Sequence, residues 1–384
     1  MPSKTPDNRC MDATLKCTPL SRIHAGHGAK MVPFGGWDMP LQFSKVLEEH
    51  HAVRNACGLF DISHMGLLSV HSGDATLTQV ALDALVPQDL SVLYPGKAVY
   101  TQLLNPEGGI IDDIIVYWMP ETAHFGEFSE WLVICNASNT DTVIAWLKTH
   151  LPQQIQIDYM NATFSLLALQ GPKFKSILDA CGLTPSEPLP KRFHIGEYTL
   201  CNQLVLLSRT GYTGEDGVEI IISSQEVAVL WETLLEKDVK PVGLAARDTL
   251  RLEAAYPLHG HELSEDITPL EAGLGWSVRL DTHGNFIGKA ALLAQRANGS
   301  TRHFTCFVMQ QKSIPRAGDK FLALDGRVMG FVTSGSISPT LDKPIGVGYI
   351  EGDTPLAPGT VISVEIRGNA LPAMVVERPF YSKK

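Results

Sequence analysis

Short runs of apolar and β-branched residues recur along the whole chain, and amphipathic helical patterns lie between some of them. The runs predict strands at 67–70, 110–118, 131–135, 164–169, 204–208, 218–222, 304–309, 327–333 and 361–366. The helical patterns cover 42–55, 75–85, 141–148, 226–236 and 244–255. Because connections are mostly short and no fixed-period repeat occurs, the pattern predicts a mixed α+β fold rather than a solenoid or propeller.

The last quarter of the chain consists almost entirely of strand-like and turn-like sequence, with Gly-Asp, Asp-Gly and Ser-Gly pairs between the runs. This pattern predicts a small β-barrel or roll that begins near Thr282. A chain of 384 residues is too long for one ordinary core, so we expect two or three domains with clefts between them.

The charge balance excludes several classes of function. A formal net charge of -10 and the lack of any Lys/Arg-rich run argue against binding to nucleic acid or to an anionic membrane. No stretch of 18 apolar residues occurs, and no signal-like segment is recognisable at the start, so we predict a cytoplasmic protein. The seven cysteines have no C-x-x-C spacing, which argues against a disulfide framework or a zinc finger.

Two adjacent carboxylates, Asp112 and Asp113, interrupt an apolar strand that follows a Gly-Gly turn. Neighbouring strand residues face opposite sides, so one of the two must point toward the buried face. A buried carboxylate without a partner costs several kcal/mol, which makes this pair a candidate site. The alternative, at even odds on pattern alone, is a solvated pair on an edge strand or an Asp that caps a loop.

A second carboxylate, Glu219, lies among isoleucines after the glycine-rich turn 211–217. The turn predicts a hairpin between the flanking runs. Packing alone would favour Val or Ile at position 219. From the pattern alone, a Glu219 that points to solvent on a one-sided sheet is the favoured interpretation, and a buried functional carboxylate is the alternative.

Arg247 and Arg251 lie one turn apart on a predicted helix, so their shared face would attract an anion. Asp248 or Glu253 could neutralise them, and for Arg251 we favour that structural interpretation. His259-Gly-His261-Glu262 and Glu48-Glu-His-His51 contain metal-ligand residue types without H-E-x-x-H spacing, so we expect no metal at either. Gly26-His-Gly28 lacks the third glycine of a dinucleotide loop, and Ser334 lacks a nucleophile elbow.

Eight segments together resemble the aminomethyltransferase, or T-protein, family of the glycine cleavage system. They are Thr18-Pro-Leu, Lys30-Met-Val, Phe60-Asp-Ile-Ser-His-Met65, Gly96-Lys-Ala-Val-Tyr100, Gly108-Gly-Ile-Ile-Asp-Asp113, Gly211-Tyr-Thr-Gly-Glu-Asp-Gly217, Ala246-Arg-Asp-Thr-Leu-Arg-Leu-Glu-Ala254 and Thr333-Ser-Gly-Ser-Ile-Ser-Pro339. The resemblance runs nearly end to end, apart from the extension ahead of Thr18 and the tail 378–381.

The resemblance implies three domains around a central folate cavity. Their expected bounds are 1–65 with 157–281 for a discontinuous folate-binding domain, 66–156 for an inserted ferredoxin-like domain and 282–384 for a C-terminal β-barrel or roll. It implies transfer of a one-carbon unit from an aminomethyl-lipoyl carrier, the H-protein, to tetrahydrofolate, giving ammonia and 5,10-methylenetetrahydrofolate. Glycine decarboxylase and dihydrolipoyl dehydrogenase would be functional partners.

Residue roles follow from the same resemblance. Asp113 matches the family's catalytic aspartate, Glu219 its pterin-binding glutamate and Arg247 a folate-site arginine. The remaining expected cavity residues are Met65, Tyr100, Asn136 and Trp276.

Rival functions remain open at this point. A folate-dependent demethylase of the same family would use another one-carbon donor. A folate-binding protein without transferase activity, such as the iron-sulfur maintenance relatives, would carry a K-G-C-Y/F motif, which we do not find. Flavin-linked sarcosine and dimethylglycine enzymes would need an added dinucleotide-binding domain.

Overall fold

The computed structural model describes residues 14–122, 124–128, 130–183, 188–323 and 325–383. The first part of the fold consists of β1 (Lys16–Cys17), α1 (Ser21–Gly26), β2 (Lys30–Phe34), β3 (Trp37–Gln42), α2 (Val46–Asn55) and β4 (Gly58–Asp61). The next consists of β5 (Gly66–His71), α3 (Ala75–Asp83), β6 (Ala98–Leu104), β7 (Ile110–Trp118), β8 (Trp131–Cys135), α4 (Thr140–His150) and β9 (Gln156–Tyr159).

The chain continues with a mixed stretch of strands and helices and ends in strands. The mixed stretch consists of β10 (Phe164–Gln170), α5 (Phe174–Ala180), β11 (Ile195–Leu200), β12 (Gln203–Ser208), β13 (Gly217–Ser223), α6 (Val227–Glu236), β14 (Lys240–Pro241) and α7 (Leu244–Glu253). The last elements are α8 (Lys289–Asn298), β15 (Arg302–Met309), β16 (Lys320–Leu322), β17 (Val328–Ser338), β18 (Lys343–Glu351), β19 (Val361–Ile366) and β20 (Asn369–Val376).

A six-stranded sheet forms the centre of the molecule, with the order β11-β12-β13-β10-β4-β14. Its middle strands β10 and β13 are buried at nearly every position because both faces of the sheet are covered. One face packs on α5 and α6 through residues such as Phe174 and Trp231. The opposite face packs on α7 and on the inserted sheet through residues such as Leu250 and Tyr117. The antiparallel pairing of β12 with β13 confirms the predicted hairpin.

The inserted sheet has the order β6-β7-β8-β5-β9. Helices α3 and α4 pack on one of its faces around Leu82, Val143 and Leu147. The element order strand, helix, three strands, helix, strand has one strand more than the ferredoxin pattern. Strand β9 pairs with β5 of this sheet, so the sheet extends to Tyr159. The domain bounds given above remain predictions.

The C-terminal strands close into a barrel of order β15-β18-β17-β16-β19-β20, which confirms the predicted barrel. Its first strand begins at Arg302, and helix α8 precedes it. The prediction of strand and turn from Thr282 onward is therefore wrong for this stretch. The sequence Ala-Ala-Leu-Leu-Ala-Gln-Arg within α8 explains the difference, because these residues have high helix propensity.

Two sequence expectations concern the whole chain. Five of the seven cysteines are free thiols, namely Cys57, Cys135, Cys181, Cys201 and Cys306, whereas Cys17 is disulfide-bonded. Within the described ranges, no helix combines the length and the apolar character needed to cross a bilayer. The extension ahead of Thr14 lies outside the described residues.

Candidate active site

Asp112 and Asp113 lie at the start of β7, just beyond the point where its pairing with β8 ends. Asp112 is fully buried and Asp113 is half-buried, so the prediction of an inward-facing carboxylate is confirmed. Asn136, the first residue after β8, lies across from both. Its Nδ2 donates to Asp112 Oδ1 and to Asp113 Oδ1, each at 2.7 Å. One amide therefore holds two adjacent carboxylates.

The pKa values of these two carboxyl groups depend on each other. Burial raises the pKa of Asp112 to about 7, the nearby charge of Asp113 adds to the rise, and the hydrogen bonds from Asn136 oppose it. Burial also raises the pKa of Asp113, against the effect of its bonds from Asn136 and Tyr100. Because the charge of one group disfavours ionisation of the other, a proton is retained in this pair up to higher pH than in an ordinary Asp pair.

An aromatic pair borders Asp113 on the side of β6. The Tyr100 hydroxyl donates to Asp113 Oδ2 at 3.1 Å. The Tyr100 ring stacks on Trp276, with ring centroids 5.6 Å apart and planes inclined by 23°. Trp276 is 57% exposed, so it forms an open edge of the site. Three of the expected cavity residues, Tyr100, Asn136 and Trp276, are thus connected to Asp113 directly or through one neighbour.

Glu219 lies on the face of the central sheet that looks toward α7. In the strand register Ala168 is paired with both Phe60 and Glu219, which places the three side chains in one row on this face. The small side chain of Ala168 leaves room between its larger neighbours. A pocket opens here, lined by Phe60, Ile62, Ala168, Gln170, Tyr212, Thr213, Glu219 and Arg247. The interpretation of Glu219 as a solvent-facing residue is therefore wrong.

The polar groups of this pocket are only partly satisfied by the protein. The Thr210 hydroxyl donates to Glu219 Oε2 at 2.5 Å. Burial raises the pKa of Glu219, while this hydrogen bond and the charge of Arg247 oppose the rise. The Arg247 guanidinium lies over the Tyr212 ring, 4.7 Å from its centroid, and no carboxylate within 4.0 Å is paired with it among the described residues. Both charged groups retain hydrogen-bonding capacity for a ligand.

Tyr212 lines the Glu219 pocket and was not among the site residues predicted from the sequence. Burial raises the pKa of its phenol, and the charge of Asp113 adds to the rise. Its hydroxyl donates to the carbonyl of Pro257 at 2.5 Å. The signal that could have identified it is an aromatic residue inside a glycine-rich turn.

Comparison with known proteins shows the family of the chain. The GCVT N-terminal domain family matches residues 20–282, and the glycine cleavage T-protein C-terminal barrel domain family matches residues 302–382. The chain belongs to the glycine cleavage T-protein family. An aminomethyltransferase of Nostoc sp. is 46% identical over 369 residues, with 96% of each chain covered. One of Bacillus subtilis is 42% identical over 373 residues, covering 96% of this chain and 100% of the relative.

A solved T-protein structure shows the same fold. The crystal structure of glycine cleavage system aminomethyltransferase T from Bartonella henselae is 35% identical in sequence, with a TM-score of 0.86. The match covers 96% of this chain and 98% of that chain. The α+β fold with a C-terminal barrel is therefore the T-protein fold.

Two further residues of this T-protein family member lie near the pocket. His64 is buried, neither of its ring nitrogens has a hydrogen-bond partner among the described residues, and burial together with Arg247 lowers its pKa to about 3. A neutral imidazole therefore packs here. Met65, an expected cavity residue, packs on the cluster that contains the pocket residues Phe60 and Ile62. The role of Met65 in the cavity stays a prediction.

The residues assigned to structural roles from sequence form ion pairs. Arg251 is paired with Asp248 at 2.8 Å and with Glu262 at 2.9 Å, which confirms the structural interpretation, although Glu253 is not its partner. Glu262 is therefore committed to Arg251 rather than to a metal. His50 is likewise committed, with its Nδ1 2.8 Å from the Thr249 hydroxyl.

Proposed function

We propose that this chain is the aminomethyltransferase of glycine cleavage. It transfers the one-carbon unit from the aminomethyl-lipoyl arm of the H-protein to tetrahydrofolate, releasing ammonia and forming 5,10-methylenetetrahydrofolate. The observation that carries the proposal is the pocket that contains Glu219 and Arg247, in a chain that also holds Asp113 with neutral donors and that matches the T-protein family nearly end to end.

The unsatisfied groups of the pocket fit a reduced folate. Glu219 would accept from a pterin ring N–H and the exocyclic amine together, which is the bidentate pattern a carboxylate favours. Arg247 would attract the electron-rich part of the ligand. Phe60 and Tyr212 supply flat surfaces for a ring system. Tetrahydrofolate supplies the nucleophilic nitrogens that receive the one-carbon unit.

Asp113 provides the negative charge at the reacting centre. As the carbon–sulfur bond breaks to give the dihydrolipoyl thiol, and ammonia leaves, positive charge develops on the transferred carbon and its nitrogens. A preorganised carboxylate stabilises this charge without reorganisation. Neutral donors from Tyr100 and Asn136 orient Asp113 without cancelling its charge. Trp276 and Met65 would complete the cavity wall.

The partners follow from the proposed reaction. Glycine decarboxylase would load the lipoyl carrier, and dihydrolipoyl dehydrogenase would reoxidise it after transfer. We place this cycle in the cytoplasm. The alternatives are demethylation of another folate-dependent donor and folate binding without catalysis, and neither is favoured by a specific feature of the described residues.

Product analysis tests the proposal. The protein would be incubated with tetrahydrofolate and aminomethylated lipoyl carrier, and ammonia and methylenetetrahydrofolate would be quantified by mass spectrometry. Parallel reactions would replace the carrier with sarcosine or dimethylglycine. We expect equimolar ammonia and methylenetetrahydrofolate with the carrier alone. Transfer only from the N-methyl donors would favour a demethylase, and folate binding with no product would leave a binding protein.

A further inference from the structure

Three potential metal ligands meet where the segment ahead of α8 packs against the end of α3. Asp83 is the last residue of α3, and Asp89 precedes the 3-10 turn Leu90–Val92. His283 comes from the segment that connects α7 to α8. Two main-chain bonds hold this segment on the inserted domain: Arg279 N to Pro87 O at 2.8 Å and Ile287 N to Ala84 O at 3.2 Å.

Each of the three side chains has one polar atom held by a neighbouring group. Asp83 Oδ1 accepts from Leu90 N at 2.6 Å, and Asp89 Oδ1 accepts from Ser91 N at 2.9 Å. His283 Nε2 lies 3.0 Å from the Asp83 carbonyl and 3.1 Å from the Val86 carbonyl. Because a carbonyl oxygen can only accept, Nε2 carries the proton. Such outer bonds are the usual way in which metal ligands are oriented.

The remaining atoms face one another. One ligand atom from each of the three residues lies within 4.8 Å of the other two. The His283 side chain is 2% exposed, and its Nδ1 forms no hydrogen bond with any described residue. This nitrogen instead lies 3.5 Å from Asp83 Oδ2. If this nitrogen is unprotonated, its lone pair and the carboxylate oxygen repel each other unless a cation lies between them; a second ring proton would instead make an ion pair.

The presence of Asp89 as a third possible ligand favours a metal ion, rather than a proton, between Asp83 and His283. One proton on Nδ1 would satisfy Asp83 alone, whereas a divalent ion would also use Asp89. Lys289 Nζ, at the start of α8, donates to the carbonyl oxygens of His283 and Gly284. An imidazole nitrogen with two carboxylate oxygens is a ligand set that suits Zn²⁺, with water in the open position.

We propose that Asp83, Asp89 and His283 bind one Zn²⁺ ion that fastens the inserted domain to the segment leading into the barrel. The ion is structural. It lies outside the residues assigned to the transfer reaction, and the inference does not depend on that reaction. It also differs from the two metal-like sequence motifs that we set aside.

Equilibrium dialysis of the full-length, chelator-stripped protein against ZnCl₂, with metal quantified by mass spectrometry, tests the site. We expect about one Zn²⁺ per chain in the parent protein and an upward shift of the thermal midpoint on loading. MgCl₂ should give neither effect, because imidazole is a poor ligand for magnesium. The variants His283→Gln and Asp89→Asn should each lose Zn²⁺ affinity by about 100-fold or more.

The matched control is His27→Gln, since His27 also faces a carboxylate, Glu232, at 2.9 Å, but no third ligand joins them within the part of the chain that the structure describes. This variant should bind Zn²⁺ as the parent does. Asp89 is half-buried, so Asp89→Asn keeps the test valid if His283→Gln does not fold. Zn²⁺ binding that is absent in the parent, or unchanged in both ligand variants, would overturn the proposal and leave Asp83 and His283 as a proton-mediated pair.

Discussion

Asp113 and Glu219 are held mainly by neutral hydrogen-bond donors. Asn136 and Tyr100 donate to Asp113, and Thr210 donates to Glu219. A neutral donor orients a carboxylate and leaves its charge available, whereas an ion pair would cancel the charge. The contrast with Glu262, which is paired with Arg251, separates residues poised for a ligand from residues that hold the fold.

The substitution Asp113→Asn preserves shape and removes the charge. We expect kcat to fall by about 100-fold or more, since that is the lower range for a general acid–base or electrostatic group, while tetrahydrofolate affinity changes by less than about threefold. Steady-state rates with saturating lipoylated carrier, together with calorimetry, measure both. The control Asp353→Asn changes an exposed aspartate and should behave as the parent. Unchanged turnover in Asp113→Asn would reject its catalytic role.

The substitution Glu219→Ala should act on binding. Loss of charge-assisted hydrogen bonds to the ligand is expected to weaken tetrahydrofolate affinity by about 10- to 100-fold. The unliganded variant should be no less stable than the parent, because burial already disfavours this carboxylate. Calorimetry compares it with Glu236→Ala, an exposed glutamate on α6. Equal folate affinity in the two variants would remove Glu219 from the site.

The turn that precedes β7 fixes the position of the Asp112–Asp113 pair. Asn105 N donates to Gly109 O at 2.9 Å, and Gly109 N donates to Asn105 Oδ1 at 2.8 Å. Ile110 N then bonds to the carbonyls of Ser264 and Ile267, both at 3.0 Å. This backbone approach leaves no space for a side chain at Gly109, since a Cβ there would lie 1.7 Å from the Glu265 carbonyl oxygen.

Gly109→Ala therefore tests how closely the turn is packed. We expect a loss of about 2–4 kcal/mol in the free energy of unfolding, because the main chain on one side must shift. Transfer activity should fall with it, since Asp113 is four residues away. Urea denaturation should show no such loss in Gly126→Ala, where a Cβ meets no atom within 4 Å. Equal urea midpoints for the two variants would contradict the close approach of Gly109 to the Glu265 carbonyl.

The accuracy of the element predictions depended on side-chain pattern. Strands β7, β8 and β19 were predicted with the observed bounds because each is an uninterrupted run or alternation with a sharp end. Strand β18 was not predicted because Gly346 and Gly348 interrupt it. These glycines are required by the barrel: a Cβ at Gly346 would lie 2.5 Å from the Phe307 ring. The need for glycine at position 346 is therefore apparent only from the packing between strands.

Hydrogen bonds to Glu253 link three distant parts of the chain. From α7 its Oε2 accepts from Arg54 Nη2 of α2 at 2.8 Å and from the Thr340 hydroxyl, beyond barrel strand β17, also at 2.8 Å. The tail is attached to the same residue, because Tyr381 N donates to the Glu253 carbonyl at 2.9 Å. Burial alone would raise the pKa of Glu253, but His50 and Arg54 hold that pKa at about 2.

The substitution Glu253→Ala should destabilise the attachment of the barrel. Removing one partner leaves Arg54 buried with an incomplete ion pair, for which we expect a loss of about 3–5 kcal/mol in unfolding free energy at pH 7. A lowered carboxyl pKa stabilises the folded state above the unfolded pKa, near 4.3, and this contribution disappears as the pH falls toward 2.

Urea denaturation from pH 7 to pH 3 would measure that effect. The difference in unfolding free energy between the parent and Glu253→Ala should become smaller as the pH falls. Glu236→Ala should have the same unfolding free energy as the parent at every pH. If the two proteins do not differ in unfolding free energy at pH 7, or if the difference grows toward pH 3, the proposed role of Glu253 is wrong.

The α+β class, the barrel and most element types were predictable from the sequence, because hydrophobic periodicity is local and survives without knowledge of partners. Its motifs also identified the family and the candidate residues. The direction of Glu219, the pairing of Arg251 beside an Arg247 with no carboxylate partner within 4.0 Å among the described residues, and the position of Tyr212 in the Glu219 pocket were set by tertiary packing. So was the meeting of His283 with Asp83, 200 residues away in the chain. Each of these depends on which distant segment covers a given face, and only the packed molecule specifies that.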